Sequence, residues 1–182
     1  EYVMGYGKRI DLHVTDHRVE VRDYGRGIPL GKIIDCVSKI NTGGKYDNQS
    51  FQKSVGLNGV GTKAVNALSA YFQVQSFRSG QTRSATFKQG LLVEATPLQS
   101  TQEPDGTRVV FEPDASIFKN FQFIPQFIVE QIWNYVFLNA GLAIAFNGQK
   151  YVSKNGLLDL LERKTETETL CYPIIHVRGE DI

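Results

Sequence analysis

The chain has 182 residues, 41% hydrophobic and 21% charged, with 20 Lys and Arg against 19 Asp and Glu. That is ordinary globular usage, enough for one well-cored domain or one domain and the start of another. The net charge of +1 argues against a surface built mainly to grip nucleic acid.

Cys36 and Cys171 are too few and too far apart for a disulfide framework or a zinc site, which predicts a reducing, cytoplasmic setting. No apolar run approaches the ~18–20 residues needed to span a bilayer, so no membrane partner is expected. Glu1 to Met4 lack the basic and apolar regions of a signal peptide. Without an initiator Met, the chain is expected to be a piece whose N-terminus lies upstream.

In chain order, residues 8–14 and 19–23 alternate apolar and polar around Thr15-Asp16-His17-Arg18, predicting a β-hairpin with one buried face. Gly25-Arg26-Gly27-Ile28-Pro29 breaks the alternation, and Ile33, Ile34, Val37 and Ile40 then fall at helical spacing within 30–40. Residues 41–61 read as a long polar, glycine-rich loop, a length usually reserved for lids and binding loops. A short helix is expected over 62–69. Strand-like runs at 71–78, 82–88 and 91–98 follow, with Ser79-Gly80 and Gln89-Gly90 as turns, then another at 107–112. Pro125 at the start and Gly141 just past the end frame a helix over 125–140. Asn147-Gly148 marks a hairpin between 142–146 and 150–152. Leu157 to Leu161 predict a last short helix, 164–169 is linker-like, and Cys171 to Val177 reads as a new strand. The expected division is 1–163 as one domain and 164–182 as a linker and the truncated start of a second.

Three motifs carry chemistry. Asp23-x-Gly25-x-Gly27 ends a predicted strand. A carboxylate there accepts a hydrogen bond from an exocyclic amino group such as that of adenine, and the glycines let backbone approach a flat ring. Alone, the motif is better read as a plain strand-to-turn sequence. The second is the lid, Gly43-Gly44-Lys45 followed by Gly56-Leu57-Asn58-Gly59-Val60-Gly61-Thr62. Successive backbone amides leading into a helix form an anion site suited to phosphates, with Lys45 adding a point charge. It is not a P-loop, because Thr62 precedes Lys63, and it is not G-x-G-x-x-G, because the glycines run G-x-x-G-x-G. The third is Asp105-Gly106-Thr107, opening a strand.

The order D-x-G-x-G, glycine lid, then G-T before a strand resembles the GHKL ATPase superfamily. The strings RDYGRGIP (22–29), NTGGKYD (41–47) and VGLNGVGTKAVNALS (55–69) are similar to bacterial type IIA topoisomerase B subunits, with a lean toward topoisomerase IV over gyrase. The resemblance implies an α/β two-layer GHKL (Bergerat) sandwich, a mixed sheet with helices on one face. It implies that Asp23 binds the adenine amino group, with Gly27 and Thr107 sharing water-mediated contacts. Ile28, Pro29, Val21 and Val109 would wall the base pocket. Lys45, Gly56, Leu57, Asn58, Gly59, Val60, Gly61 and Thr62 would hold the triphosphate. Arg26 would face an acid at Glu1.

The cofactors implied are ATP and Mg2+, with the metal ligand and the general base on a helix upstream of Glu1. No residue of this chain is therefore expected to be catalytic or to bind metal, and the chain alone is expected not to turn ATP over. Implied partners are an A-type subunit, DNA through the full complex, and a second copy on ATP binding. Rival readings are a nucleotide-binding module without hydrolysis, another GHKL member, and a DNA-binding structural domain. His13, His17 and His176 have no ligand spacing, and Trp133 with Phe127, Tyr135 and Phe137 reads as core packing. Glu162-Arg163-Lys164 reads as a solvated helix end, and Cys36 as a core-lining thiol.

Overall fold

A computed structural model describes residues 2–40, 59–165 and 172–175. The predicted hairpin forms as β1 (Arg9–Val14) and β2 (Val19–Asp23), closed where the Thr15 amide donates to the Arg18 carbonyl at 2.9 Å. Three further strands, β3 (Ser69–Arg78), β4 (Gln81–Lys88) and β5 (Leu91–Ala95), are joined by two-residue turns. Ser79 and Gly80 have φ of 53° and 72°, and Gln89 and Gly90 of 49° and 79°, the doubly positive geometry that matches strand twist. The short β6 (Gln99–Ser100) and β7 (Gly106–Pro113) follow, then β8 (Ala143–Phe146) and β9 (Gln149–Tyr151) around Asn147-Gly148.

Together they make one sheet in the order β5-β4-β3-β7-β2-β1-β8-β9, with β6 beside β4. β1 and β8 pair in parallel and the other neighbours are antiparallel, so the sheet is mixed.

Register settles which side chains share a face. Leu12 lies opposite Val21, Val21 opposite Val109, Val109 opposite Val74 and Val74 opposite Ala85. This apolar face carries the helices. Ile33 and Val37 of α1 (Ile33–Ser38) pack with Phe72, Val74, Ala85 and Phe87, against which Val65 of α2 (Gly61–Ala67) also rests. Ile132 and Val136 of α3 (Pro125–Leu138) pack with Ile144, Phe146 and Tyr151, with Ile10 and Leu12 alongside. The other face is polar. Arg108 grips Glu20 bidentately at 2.7 and 2.9 Å and holds its carboxyl below the usual range against the opposing effect of burial. Arg18 pairs with Glu112 at 2.8 Å.

Several expected boundaries move. α1 starts only at Ile33, after a turn in which the Lys32 amide donates to the Pro29 carbonyl, and stops at Ser38, leaving Ile40 exposed. β5 ends at Ala95, before Pro97, which has no amide for the ladder. Within α3, Trp133 stacks on Phe137 at 5.2 Å and meets Tyr151 edge-on at 5.4 Å. Phe127 and Tyr135 are exposed, so these two are not core: they lie on the helix face turned away from β8 and β9. The strand expected at 171–177 is absent over 172–175, where Pro173 interrupts the amide series and Tyr172 and Ile175 are exposed.

The last helix, α4 (Leu157–Thr165), takes in two residues expected to be linker. Its first turn is tied down by Asp159. That carboxylate accepts from Ser153 Oγ at 2.6 Å, from the Lys154 and Asn155 amides at 3.0 and 3.1 Å, and from Asn155 Nδ2 at 2.8 Å. These bonds, Ser153's foremost, lower its pKa to about 2. A carboxyl depressed in the folded state stabilises fully above its unfolded pKa of about 4, and that contribution is lost as pH falls through the folded value. Amide-exchange protection at the start of α4 is therefore expected to fall between these two values. Asp159→Asn should weaken protection at neutral pH and flatten its acid dependence; an unchanged profile would count against the cap.

Candidate nucleotide-binding site

Asp23 is the last residue of β2, opposite Ile10 on the helix-bearing face. Its Oδ1 accepts the Gly25 amide at 2.8 Å, and among the described residues no hydrogen bond occupies Oδ2. The chain then turns sharply across the ends of β3 and β7. Gly27 sits at φ +71°, where an added Cβ would lie 2.4 Å from the Phe77 carbonyl oxygen and 3.0 Å from both the Gly106 carbonyl oxygen and Ser76 Oγ. Only glycine passes there without displacing backbone. Two side chains strap the turn down: Ser76 Oγ donates to the Ile28 carbonyl at 2.6 Å and Arg78 Nη1 to the Gly27 carbonyl at 3.0 Å. Thr107 lies directly across the ladder from Ser76.

The result is a cleft of about 380 Å³ in which Asp23, Gly27, Ile28 and Thr107 meet Ile10 and Leu142. A carboxylate with one open oxygen, beside a hydroxyl and flat apolar walls, suits a planar group that presents an N–H donor. Arg26 also lines the cleft, its guanidinium 4.6 Å from the centre of the Tyr6 ring. Burial raises the half-buried Cys36 thiol.

Val21 and Val109 pair across the β2–β7 ladder, two residues along the same face from Asp23 and Thr107, and Pro29 is exposed in the turn before α1. Gly59 and Val60 lead into α2, which Gly61 and Thr62 begin, with Gly59 at φ +57° and its carbonyl accepting from Lys63 Nζ at 2.6 Å. Lys45, Gly56, Leu57 and Asn58, the rest of the lid from 43, and Glu1 fall outside the described residues.

Sequence reasoning missed Ser76, Arg78, Ile10 and Leu142. Only Ser76 left a signal, as a hydroxyl in the inward phase of an apolar alternation. Leu142 reaches the cleft because it immediately precedes β8, which pairs in parallel with β1.

No family model matches the chain. Over 182 residues, all of this chain, it is 47% identical to the B subunit of DNA topoisomerase 4 from Borreliella burgdorferi, covering 30% of that protein. The chain belongs to the type IIA topoisomerase B-subunit family. The B subunit of DNA gyrase from Mycoplasmoides gallisepticum is 35% identical over 162 residues, 82% of this chain and 25% of that one. The same relationship holds in three dimensions. The crystal structure of the 43K ATPase domain of Thermus thermophilus gyrase B, in complex with an aminocoumarin, superposes with a TM-score of 0.75 at 28% identity, covering 99% of this chain and 50% of that chain. The expected two-layer α/β architecture is thus that of a gyrase B ATPase domain. The chain spans under a third of the length of these B subunits.

Proposed function

We propose that the cleft beside Asp23 binds ATP, and that the chain is the ATP-binding part of a type IIA topoisomerase B subunit. One observation carries the reading: Asp23 Oδ2 stands open in a cleft whose wall at Gly27 has no room for a side chain. An ionised acceptor there selects adenine, whose exocyclic amine donates, over guanine, whose corresponding edge presents a carbonyl. Thr107 and Ile28 orient the ring. Lys45 and the run Gly56, Leu57, Asn58, Gly59, Val60, Gly61 and Thr62 bind the triphosphate through amides and one ammonium.

In the intact protein, ATP closes the lid and joins two B subunits, and hydrolysis resets them. This cycle is coupled to DNA strand passage with an A-type subunit, in the cytoplasm. The greater identity to a topoisomerase IV subunit than to a gyrase subunit, 47% against 35%, favours the former.

Bound magnesium neutralises charge on the phosphate oxygens during hydrolysis. Among the described residues no group of three or more His, Cys, Asp or Glu gathers to hold a metal. Nor do we assign a general base to any residue of this chain.

Asp23→Asn in the full-length subunit tests the reading. It preserves shape but turns an ionised acceptor into an amide, a loss of about 1.5–3 kcal/mol, or roughly 10- to 150-fold in ATP affinity. Calorimetric titration should show that loss together with a collapsed preference for ATP over GTP. Unchanged affinity and preference would remove Asp23 from the base subsite.

A further inference from the structure

Arg22 points to the opposite face of β2 from Asp23, yet its guanidinium reaches the carbonyls of both Asp23 and Pro104. It is only 8% exposed, and among the described residues no carboxylate lies within ion-pair distance of it. Its guanidinium instead lies between two rings, 4.7 Å from the centre of Tyr24 and 4.3 Å from that of Phe77. Nη1 donates to the Asp23 carbonyl and Nη2 to the Pro104 carbonyl at 2.6 Å.

Those two carbonyls belong to the two strand ends that carry the subsite. Asp23 closes β2, and Pro104 stands in the turn that enters β7 just before Thr107. The β2–β7 ladder has its last pair at Arg22 and Arg108, so Asp23 and Thr107 lie beyond it, where no rung ties one strand to the other. The guanidinium fork spans that gap. Gly106 completes the junction: at φ +143°, an added Cβ would lie 2.1 Å from the Asp23 carbonyl oxygen and 2.3 Å from Arg22 Nη1. Tyr24 is anchored in turn, its hydroxyl donating to Asp11 Oδ2 at 2.8 Å, while Arg9 holds the other Asp11 oxygen at 2.7 Å.

We infer that Arg22 is the positioning residue of the base subsite, setting the separation of Asp23 and Thr107 by clamping the ends of β2 and β7 from behind the sheet. This rests on the reading of the cleft as an adenine site. A planar fork with two fixed donors does this where an ammonium cannot, because Lys places a single centre and cannot reach both carbonyls in one plane. Recognition of the adenine amine therefore depends on a side chain that never touches the nucleotide, whereas triphosphate binding does not.

The experiment compares the affinity of the full-length subunit for ATP with that for purine riboside triphosphate, which lacks the amine, and adds inorganic tripolyphosphate as a base-free ligand. Wild type should prefer ATP by about tenfold or more, and Asp23→Asn should abolish the preference. Arg22→Met should cut the preference to within about threefold while tripolyphosphate affinity stays within about twofold, with Arg22→Lys intermediate. Circular dichroism checks that each variant is folded. If Arg22→Met does not fold, Arg22→Lys decides, with a loss of at least about threefold in preference expected. A folded variant at Arg22 that keeps the wild-type preference, or that loses tripolyphosphate binding in parallel, overturns the inference while leaving Asp23 in place. A wild type with no preference for ATP, matched by Asp23→Asn, overturns the adenine reading itself and the role of Arg22 with it.

Discussion

Gly106→Ala is expected to destabilise the protein by about 2–4 kcal/mol and to lower its melting temperature by roughly 5–15 °C. The methyl would stand 2.1 Å from the Asp23 carbonyl oxygen and 2.3 Å from Arg22 Nη1, at φ +143°. Neither relief is local. Moving the carbonyl shifts the end of β2, and moving the guanidinium gives up its bond to Pro104. Nucleotide affinity should therefore fall together with stability, because the same displacement separates Asp23 from Thr107. Gly148→Ala makes a suitable comparison, since that glycine is also at positive φ, 88°, but has open space around its Cβ. It should show the backbone strain without the collision or the loss of affinity. A Gly106 variant melting within about 1 °C of wild type would mean that the β2–β7 junction relaxes freely, against the packing limits of a close-packed interior.

Phe72→Ala should cost about 3–5 kcal/mol, from lost transfer energy and the cavity left behind. Phe72 is 0% exposed, meets Phe87 edge-on at 6.0 Å, and packs in the cluster that seats Ile33 and Val37 of α1 on the sheet. No neighbour can fill the gap without α1 sinking toward β3. Chemical denaturation should show the transition midpoint falling at nearly constant slope, with Phe72→Leu losing less because it keeps most of the volume. A loss under about 1 kcal/mol for the alanine variant would place the centre of the core elsewhere.

Much of this was legible in the residues alone where the cause is local. Alternation over 8–14 and 19–23 produced β1 and β2. The two-residue turns at Ser79-Gly80, Gln89-Gly90 and Asn147-Gly148 could be read directly, because doubly positive φ demands such residues. Pro125 placed the start of α3. The strings around Asp23, Gly27 and Thr107 named the residues that now share one cleft.

The tertiary structure decided what periodicity cannot carry. Alternation tells which residues share a face but not which strand lies alongside, so the parallel pairing of β1 with β8, and the arrival of Leu142 at the cleft, were invisible. Their aromatic character likewise led Phe127 and Tyr135 to be read as core packing, without showing that α3 rests on the sheet through Ile132 and Val136. Arg22 is the clearest case. In sequence it is one polar residue in an alternating strand, and nothing local distinguishes it from Glu20. It gains its place only when the Tyr24 turn, Phe77 of β3 and the Pro104 loop arrive around one guanidinium. Sequence thus determined the local backbone demands and the identity of several residues that line the cleft. Long-range packing alone determined which of them meet and what holds them at their working separation, because those contacts join segments that no local period links.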